Sequence, residues 1–177
     1  MWFRMSRGLA AGVVAAGVVA AGVVLGAAPS AMAWTRPAST CQTAKLGYAL
    51  GAVRGTPSQR IQEIVLINQT WSTCTLAGFP GVELVGTVHG KRDYGWNLRW
   101  ESAGYKKVTL KPGKAAHFDL VYLPAQRGDG TDIEVTKILI TPPDDYHHAA
   151  LWWHQSVLLQ DAATYPGTYV GPVMPGR

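Results

Sequence analysis

Short runs of alternating apolar and polar residues, separated by clusters of glycine, proline and aspartate, make up most of the chain. In residues 115–123, Phe118 and Leu120 fall on one face of an extended chain, whereas His117 and Asp119 fall on the other. This two-residue period is typical of a half-buried antiparallel strand. The same kind of pattern predicts strands at 44–52, 60–68, 82–89, 95–100, 106–110, 115–123, 133–141 and 151–159. A short helix is an alternative for the last of them.

Many short strands joined by turns indicate an all-β domain. Such strands cannot bury their apolar faces in a single layer, so the choice lies between two packed sheets and a closed barrel. We expect an antiparallel β-sandwich with immunoglobulin-like Greek-key connections over residues 41–164, after a leader at 34–40. Residues 165–177 carry prolines and glycines without a strand-length apolar run, which predicts an extended or flexible tail.

Residues 1–33 have the pattern of a secretory signal peptide. Two arginines precede an uncharged apolar segment at 8–28, and Ala31-Met32-Ala33 is the small-x-small pattern that signal peptidase reads. Cleavage after Ala33 would give a secreted protein with no stable membrane span. The alternative is an uncleaved N-terminal helix that anchors the protein, because about 20 apolar residues can span a bilayer.

The charge of the chain is mildly positive. The net charge is +5, and loss of residues 1–33, which contain Arg4, Arg7 and no acidic residue, would lower it to +3. Dense basic groups occur only at Lys91-Arg92 and Lys106-Lys107, which is far from a nucleic-acid-binding stripe. We therefore expect no nucleic-acid partner, and an envelope protein or polysaccharide is the class of partner that the sequence allows.

The chain has two cysteines, Cys41 and Cys74. In an exported protein an even number of cysteines predicts a disulfide, and only one pairing is possible here. The alternative is a free pair in which Cys74 acts as a nucleophile, which would need a nearby histidine and a lowered thiol pKa.

The segment 144–154 holds the strongest candidates for metal or enzyme chemistry. Zinc or copper could use two or three of its acidic and imidazole groups if a loop folded back. The spacing matches no known site, and the alternative is a polar loop that leads into the last strand. No serine-hydrolase, zinc-protease or phosphate-loop motif occurs, so we expect no enzyme activity and no cofactor. The candidate ligands are Asp144, Asp145, His147, His148 and His154.

Asn68-Gln69-Thr70 matches an acceptor for N-glycans. The alternative is that Asn68 ends a strand and bonds to the local backbone in a turn.

The aromatic residues are a further candidate site, because the protein has seven Trp and seven Tyr. Trp and Tyr combine a flat apolar face with a polar edge, which suits protein interfaces and stacking on sugar rings. The alternative is that most of them fill the core. The candidates lie in two clusters, Tyr94, Trp96, Trp100 and Tyr105 in one connection, and Tyr146, Trp152 and Trp153 in the other.

Several of these motifs together resemble a known family. Asn68 and Thr70, the Cys-Thr-Leu-x-Gly-Phe-Pro-Gly-Val run at 74–82, the Leu-x-Pro-Gly-x-Ala pattern at 110–115 and the strand that ends in Pro-Pro at 138–143 follow its order. Over residues 40–143 the chain resembles the actinobacterial secreted domain of unknown function 4232. The resemblance implies an export signal and a β-sandwich, and it implies no catalytic residue. Many members have a second cysteine pair, which this chain lacks.

We therefore expect a secreted, non-enzymatic β-sandwich module that binds an envelope protein or glycan through aromatic loops. The alternative is a metal-binding protein or enzyme centred on 144–154.

Overall fold

A computed structural model of the protein describes residues 37–125, 131–160 and 166–176, which lie in one compact unit, Arg36–Arg177. The predicted signal peptide and residues 34–36 of the leader lie outside the described residues. No helix in the described part is long and apolar enough to cross a bilayer. The elements are β1 (Ser39–Thr40), a 3₁₀ turn (Thr43–Lys45), β2 (Leu46–Gly55), β3 (Arg60–Asn68), β4 (Cys74–Leu76), β5 (Gly81–Val88), β6 (Lys91–Asn97), β7 (Arg99–Trp100), β8 (Val108–Leu110), β9 (Ala115–Tyr122), β10 (Asp132–Thr141), β11 (Ala149–Leu158), β12 (Tyr169–Val170) and β13 (Met174–Pro175).

These strands form two main sheets and one small sheet. Sheet I has the order β2-β3-β9-β12-β7, with β13 also paired to β9, and sheet II has the order β11-β10-β5-β6. The small sheet has the order β1-β4-β8. Most pairs are antiparallel, whereas β1 pairs with β4 and β12 pairs with β7 in parallel.

The order of the strands is that of a Greek key. The chain passes from β3 in sheet I to β5 in sheet II, and later from β9 in sheet I to β10 in sheet II. Each of these strands pairs with a strand distant in sequence, β9 with β3 and β10 with β5. The predicted all-β antiparallel sandwich is therefore confirmed.

The core lies between the sheets. It is filled by the apolar side chains that alternate with more exposed ones along each strand. The strand predicted at 151–159 is β11, so the helical alternative for that run is wrong. Burial of these side chains is the main favourable term that holds the sandwich together. The fully buried side chains include Ile64, Leu66, Phe118 and Leu120 from sheet I, and Leu84, Ile133, Ile138 and Ile140 from sheet II.

Trp153 belongs to this core, which corrects its prediction as a binding residue. It is 3% exposed, and its ring packs edge-on against Tyr122 with the ring centroids 5.0 Å apart. Its indole N–H donates to Gln62 Oε1 at 3.3 Å, and the Gln62 amide donates to the carbonyls of Gly51 and Glu63. The buried polar groups of Gln62 and Trp153 thus have partners, and they join β11 of sheet II to β3 of sheet I.

The strand predicted at 95–100 is divided between the two sheets. Leu98 is buried, and its backbone N–H donates to the Val82 carbonyl at 2.9 Å. Before Leu98 the chain is the edge strand of sheet II, and after it β7 joins sheet I. This crossing places Trp100 on sheet I, three residues after the end of edge strand β6.

The C-terminal residues complete sheet I. The pattern predicts a tail outside the sandwich from residue 165, but β12 and β13 pair with β9, and Val170 and Val173 are buried. The chain is extended there, as predicted, but it is part of the domain. Two-residue pairings are too short to leave a periodic signal in the sequence.

The disulfide joins Cys41 to Cys74, as predicted, and both cysteines are buried. It lies next to the β1–β4 pair, and the Cys41 N–H donates to the Thr75 carbonyl at 2.9 Å. The described residues contain no free cysteine, so the alternative of Cys74 as a nucleophile is wrong.

Candidate functional site

Three connections meet at one end of the sandwich, which we call the loop end. Pairing of Ile67 with Ala115 brings the β3–β4 and β8–β9 connections together, and pairing of Gly81 with Thr141 adds the β10–β11 connection. The 3₁₀ turn joins them, because Thr43 is bonded to Asp145. In an immunoglobulin-like sandwich, loops at one end commonly carry the binding site.

An open groove of about 450 Å³ lies at the loop end. Its walls come from the turn before β5, the chain after β7 and the β10–β11 connection. We call it the aromatic groove. The side chains that define it are Phe79, Trp100, Tyr105, Pro143, Asp144 and Tyr146.

The ring of Trp100 is fixed in orientation although 59% of the residue is exposed. Its indole N–H donates to the Pro80 carbonyl at 3.0 Å, and its ring stacks on Phe79 with centroids 5.8 Å apart and planes at 21°. Tyr105, also 59% exposed, meets Phe79 edge-on at 6.1 Å. The three rings form a rigid apolar surface that is open to solvent, which lowers the entropy cost of binding a flat ligand.

The C-terminal strands support this surface. Trp100 pairs with Val170, and the Glu101 N–H donates to the Val170 carbonyl at 2.9 Å. The Val173 N–H donates to the carbonyl of Gly78, which has a φ of 112° that favours glycine. The Gly-Phe-Pro-Gly run at 78–81, which we call the glycine turn, therefore positions Phe79 in the groove and hydrogen-bonds to the C-terminal segment.

The β10–β11 connection is organised by Asp145, and we call residues 142–148 the Asp145 loop. Asp145 Oδ2 accepts from the Thr43 N–H at 2.7 Å and from the Thr43 hydroxyl at 2.8 Å. Asp145 Oδ1 accepts from the Tyr146 N–H at 2.7 Å and lies 3.1 Å from His147 Nδ1. The backbone hydrogen bond from Thr43, followed by the other donors, holds the pKa of the Asp145 carboxyl well below its usual range. Burial raises the pKa of the adjacent Tyr48 to about 12.

Asp144 differs from Asp145 in having a carboxylate that faces solvent. Its backbone adopts a φ of 61°, and within the described residues its side chain has no hydrogen-bond partner. It lines the groove beside Tyr146, which is 97% exposed. The groove thus offers aromatic faces and one available acceptor.

The predicted aromatic residues separate into different environments. Trp100 and Tyr105 line the groove, whereas Tyr94 and Trp96 are half-buried and pack against the core from edge strand β6. Trp152 is 71% exposed on the outer face of sheet II, where it stacks on His154. Of the predicted aromatic residues, Trp100 and Tyr105 of the first cluster therefore line the groove, together with Tyr146 of the second.

The predicted metal ligands do not come together. Both carboxylate oxygens of Asp145 accept hydrogen bonds, Oδ2 from Thr43 and Oδ1 from Tyr146, and His154 lies on β11 beside Trp152. His147 and His148 are exposed. In the described part of the chain, no three His, Cys, Asp or Glu side chains are grouped so that they could hold a metal ion.

Asn68 organises the β3–β4 connection, and we call residues 69–73 the Asn68 loop. Its amide donates to the carbonyls of Ser72 and Leu110 at 2.8 and 3.0 Å, and its Oδ1 accepts from the N–H and hydroxyl of Thr70. Asn68 is 1% exposed, so its nitrogen is not available to a glycosylating enzyme. The turn interpretation of this motif is correct, and the glycosylation interpretation is wrong for the folded protein.

The structure adds Trp71, which the sequence did not single out, and it places Tyr146, a member of the second predicted cluster, at the groove. Trp71 at the tip of the Asn68 loop and Tyr146 in the Asp145 loop are both 97% exposed. Neither belongs to a periodic run. The available signal was position alone, because each aromatic stands in a polar turn just after a residue able to cap that turn.

Comparison with solved structures finds resemblances to β-glucosidases. The Kluyveromyces marxianus enzyme has a TM-score of 0.30 and 11% identity, over 71% of this chain and 15% of the enzyme. The Bifidobacterium adolescentis enzyme has a TM-score of 0.27 and 14% identity, over 62% of this chain and 17% of the enzyme. The chain thus spans less than a fifth of these enzymes, and such TM-scores support no inference about function.

No curated protein matches the chain. Residues 41–173 match the family model described as "Domain of unknown function (DUF4232)", and this range includes the disulfide, sheet II and every strand of sheet I except β13. The glycine turn, the aromatic groove and the two polar loops all lie within it. The chain therefore belongs to the DUF4232 family.

Proposed function

We propose that the protein is an exported, non-enzymatic module that binds a polysaccharide of the cell envelope in the aromatic groove. The observation that carries the proposal is the fixed, open ring of Trp100 beside Tyr105 and Asp144. A sugar ring presents apolar C–H groups on its faces and hydroxyl groups at its edge. Stacking on Trp100 would bury the faces, while the Asp144 carboxylate would accept from the hydroxyl groups.

A polysaccharide fits the groove better than a protein side chain does. The groove is open to solvent and about 450 Å³ in volume, and Trp100, Tyr105 and Tyr146 in it are exposed rather than enclosed in a pocket. Such a surface suits an extended chain of rings. Two of the groups considered for chemistry have structural partners instead, because Cys74 is bonded to Cys41 and the Asp145 carboxylate accepts from Thr43.

Export is part of the proposal. The buried Cys41–Cys74 disulfide fits an oxidising compartment, and residues 1–33 have the pattern of a signal peptide cleaved after Ala33. We propose a secreted, actinobacterial protein that meets its ligand in the cell envelope.

The test is sedimentation of the protein with insoluble envelope polysaccharide. We expect Trp100→Ala to weaken binding about tenfold or more, because a central aromatic anchor commonly contributes at least that much. Trp152→Ala is the matched control, since it removes an exposed tryptophan from the outer face of sheet II and should bind as the wild type does. Equal binding by the Trp100→Ala variant and the wild type would refute the groove as the site. Loss of binding after protease treatment of the envelope, but not after removal of glycan, would show a protein ligand instead.

A further inference from the structure

A second exposed surface lies at the loop end, on the Asn68 loop. Trp71 stands at its tip and is 97% exposed, although the loop beneath it is held by the buried side chain of Asn68. A rigid loop that holds an indole wholly in water keeps a large apolar group available for burial against a partner. A shallow hollow of about 510 Å³ separates Trp71 from the turn at Pro112 and Gly113.

Three exposed lysines are placed around Trp71 by backbone hydrogen bonds. The Asn68 N–H donates to the Lys114 carbonyl at 3.0 Å, and the Lys114 N–H donates to the Lys111 carbonyl at 3.0 Å. On the other side, the Gln69 N–H donates to the Lys45 carbonyl at 3.1 Å. All three lysines are exposed.

The acidic groups near this surface belong to the groove side of the loop end. Asp145 is bonded to Thr43, two residues before Lys45, and Asp144 lines the aromatic groove. The residues that line the hollow beside Trp71 include no acidic side chain. The Trp71 surface is therefore positively charged, with one apolar group projecting from it.

We propose that Trp71, Lys45, Lys111 and Lys114 dock the domain on the surface of a bilayer rich in anionic lipid. Tryptophan favours the boundary between headgroups and acyl chains, where its apolar face is buried and its N–H stays near polar groups. Lysines near an anionic membrane surface add attraction to the headgroups. This surface is distinct from the aromatic groove, so the protein could hold a polysaccharide while resting on a membrane.

The test uses vesicles and a chain that begins at Trp34, because the apolar N-terminal segment would itself bind lipid. All described strands, the core and the disulfide are retained in that chain. Binding to vesicles of phosphatidylcholine alone is compared with binding to equal parts of phosphatidylcholine and phosphatidylglycerol, at low salt. We expect binding to the anionic vesicles only.

Two variants and two matched controls separate the contributions. Trp71→Ala should lower the partition coefficient about tenfold, because it removes the inserted apolar group. The double variant Lys111→Ser, Lys114→Ser should lower it about fivefold for each lysine. Trp152→Ala, and the double variant Lys91→Ser, Arg92→Ser at the opposite end of the sandwich, should bind as the wild type does.

Three results would overturn the proposal. One is equal binding to neutral and anionic vesicles, and another is equal binding by the Trp71→Ala variant and the wild type. The third is complete displacement by soluble polyphosphate with no contribution from Trp71, which would show attraction to any polyanion. Trp100→Ala should leave vesicle binding unchanged, so the failure of one site can be told from the failure of the other.

Discussion

The Asn68 loop and the Asp145 loop are built alike but from different chemistry. Each is organised by one polar side chain that bonds to nearby backbone groups, and each presents an aromatic residue that is 97% exposed. The Asn68 amide both donates and accepts, whereas the Asp145 carboxylate only accepts. The first loop is uncharged at its centre and lies beside a disulfide, while the second carries a charge and has no covalent tie.

This comparison shows how sequence motifs that suggest activity can be structural. Asn68-Gln69-Thr70 suggests a glycan acceptor and Asp144-Asp145 suggests a metal site, but Asn68 and Asp145 are occupied by the loops that they hold. In both loops the group left available lies within three residues of the organising residue. It is Trp71 in the first loop, and Asp144 with Tyr146 in the second.

Of the changes that test this difference between the two loops, removal of the disulfide should lower the stability of the protein most. In the double variant Cys41→Ser, Cys74→Ser, we expect the free energy of unfolding to fall by about 3–4 kcal/mol, because the disulfide closes a span of 33 residues in the unfolded chain. Urea denaturation measures this, and the wild type with reductant should behave like the variant. If the free energy of unfolding fell by less than about 1 kcal/mol, the Asn68 loop would not depend on the disulfide. In that respect it would resemble the Asp145 loop, which has no covalent cross-link.

Exchange of the Asn68 amide for a carboxylate should have the next largest effect. In Asn68→Asp, a buried carboxylate would face the Ser72 and Leu110 carbonyls instead of donating to them. We expect a loss of about 3 kcal/mol at neutral pH, because two acceptors lose their donor and the new charge is desolvated. The loss should become smaller in acid, where the carboxyl group is neutral.

Asn97→Asp is the control for this exchange, since it adds the same charge at an exposed position of β6. Urea denaturation of both variants at two pH values gives the comparison. Equal stability of the two variants would show that the centre of the Asn68 loop tolerates charge, as the Asp145 loop does.

The reverse exchange, Asp145→Asn, should have the smallest effect. We expect a loss of about 1 kcal/mol at neutral pH, because solvent reaches the loop and screens part of the interaction. The Asp145 pKa is lowered in the folded protein, so its stabilisation is complete above the unfolded value and is lost as the pH falls toward the folded one. The wild type should therefore approach the variant in stability below about pH 4.

Asp144→Asn is the matched control, because that carboxylate has no partner among the described residues. Its stability should follow that of the wild type over the same range of pH. A constant difference between wild type and Asp145→Asn from neutral to acid pH would contradict the role of the charge in this loop.

The sequence predicted the architecture well because the long strands leave a periodic signal. The eight predicted runs correspond to β2, β3, β5, β6 with β7, β8, β9, β10 and β11, and the disulfide follows from there being two cysteines. The strands that were not predicted, β1, β4, β12 and β13, have two or three residues each. Segments so short are defined by their partners in the sheet, which local sequence does not reveal.

The candidate site was predicted only in part, for a related reason. Trp152 and Trp153 are adjacent on β11, so the alternation of a strand already excludes them from sharing one face. Which of them is buried depends on Gln62 and Tyr122, which lie on other strands. The groove combines Phe79, Trp100 and Asp144 from three separate connections, and their proximity follows from the Greek key rather than from any one segment.

The short strands at the C-terminus have a consequence for the solution behaviour of the domain. β9 has β3 on one side, and on the other side its backbone groups are paired by β12 and β13. Without those few residues, one side of a long strand with Phe118, Leu120 and Tyr122 would be an unprotected sheet edge, of the kind that recruits strands from other molecules into aggregates. The C-terminal segment, although rich in proline and glycine, thus covers this edge of β9. Pro175 in β13 has no backbone N–H to donate, which limits the addition of a further strand.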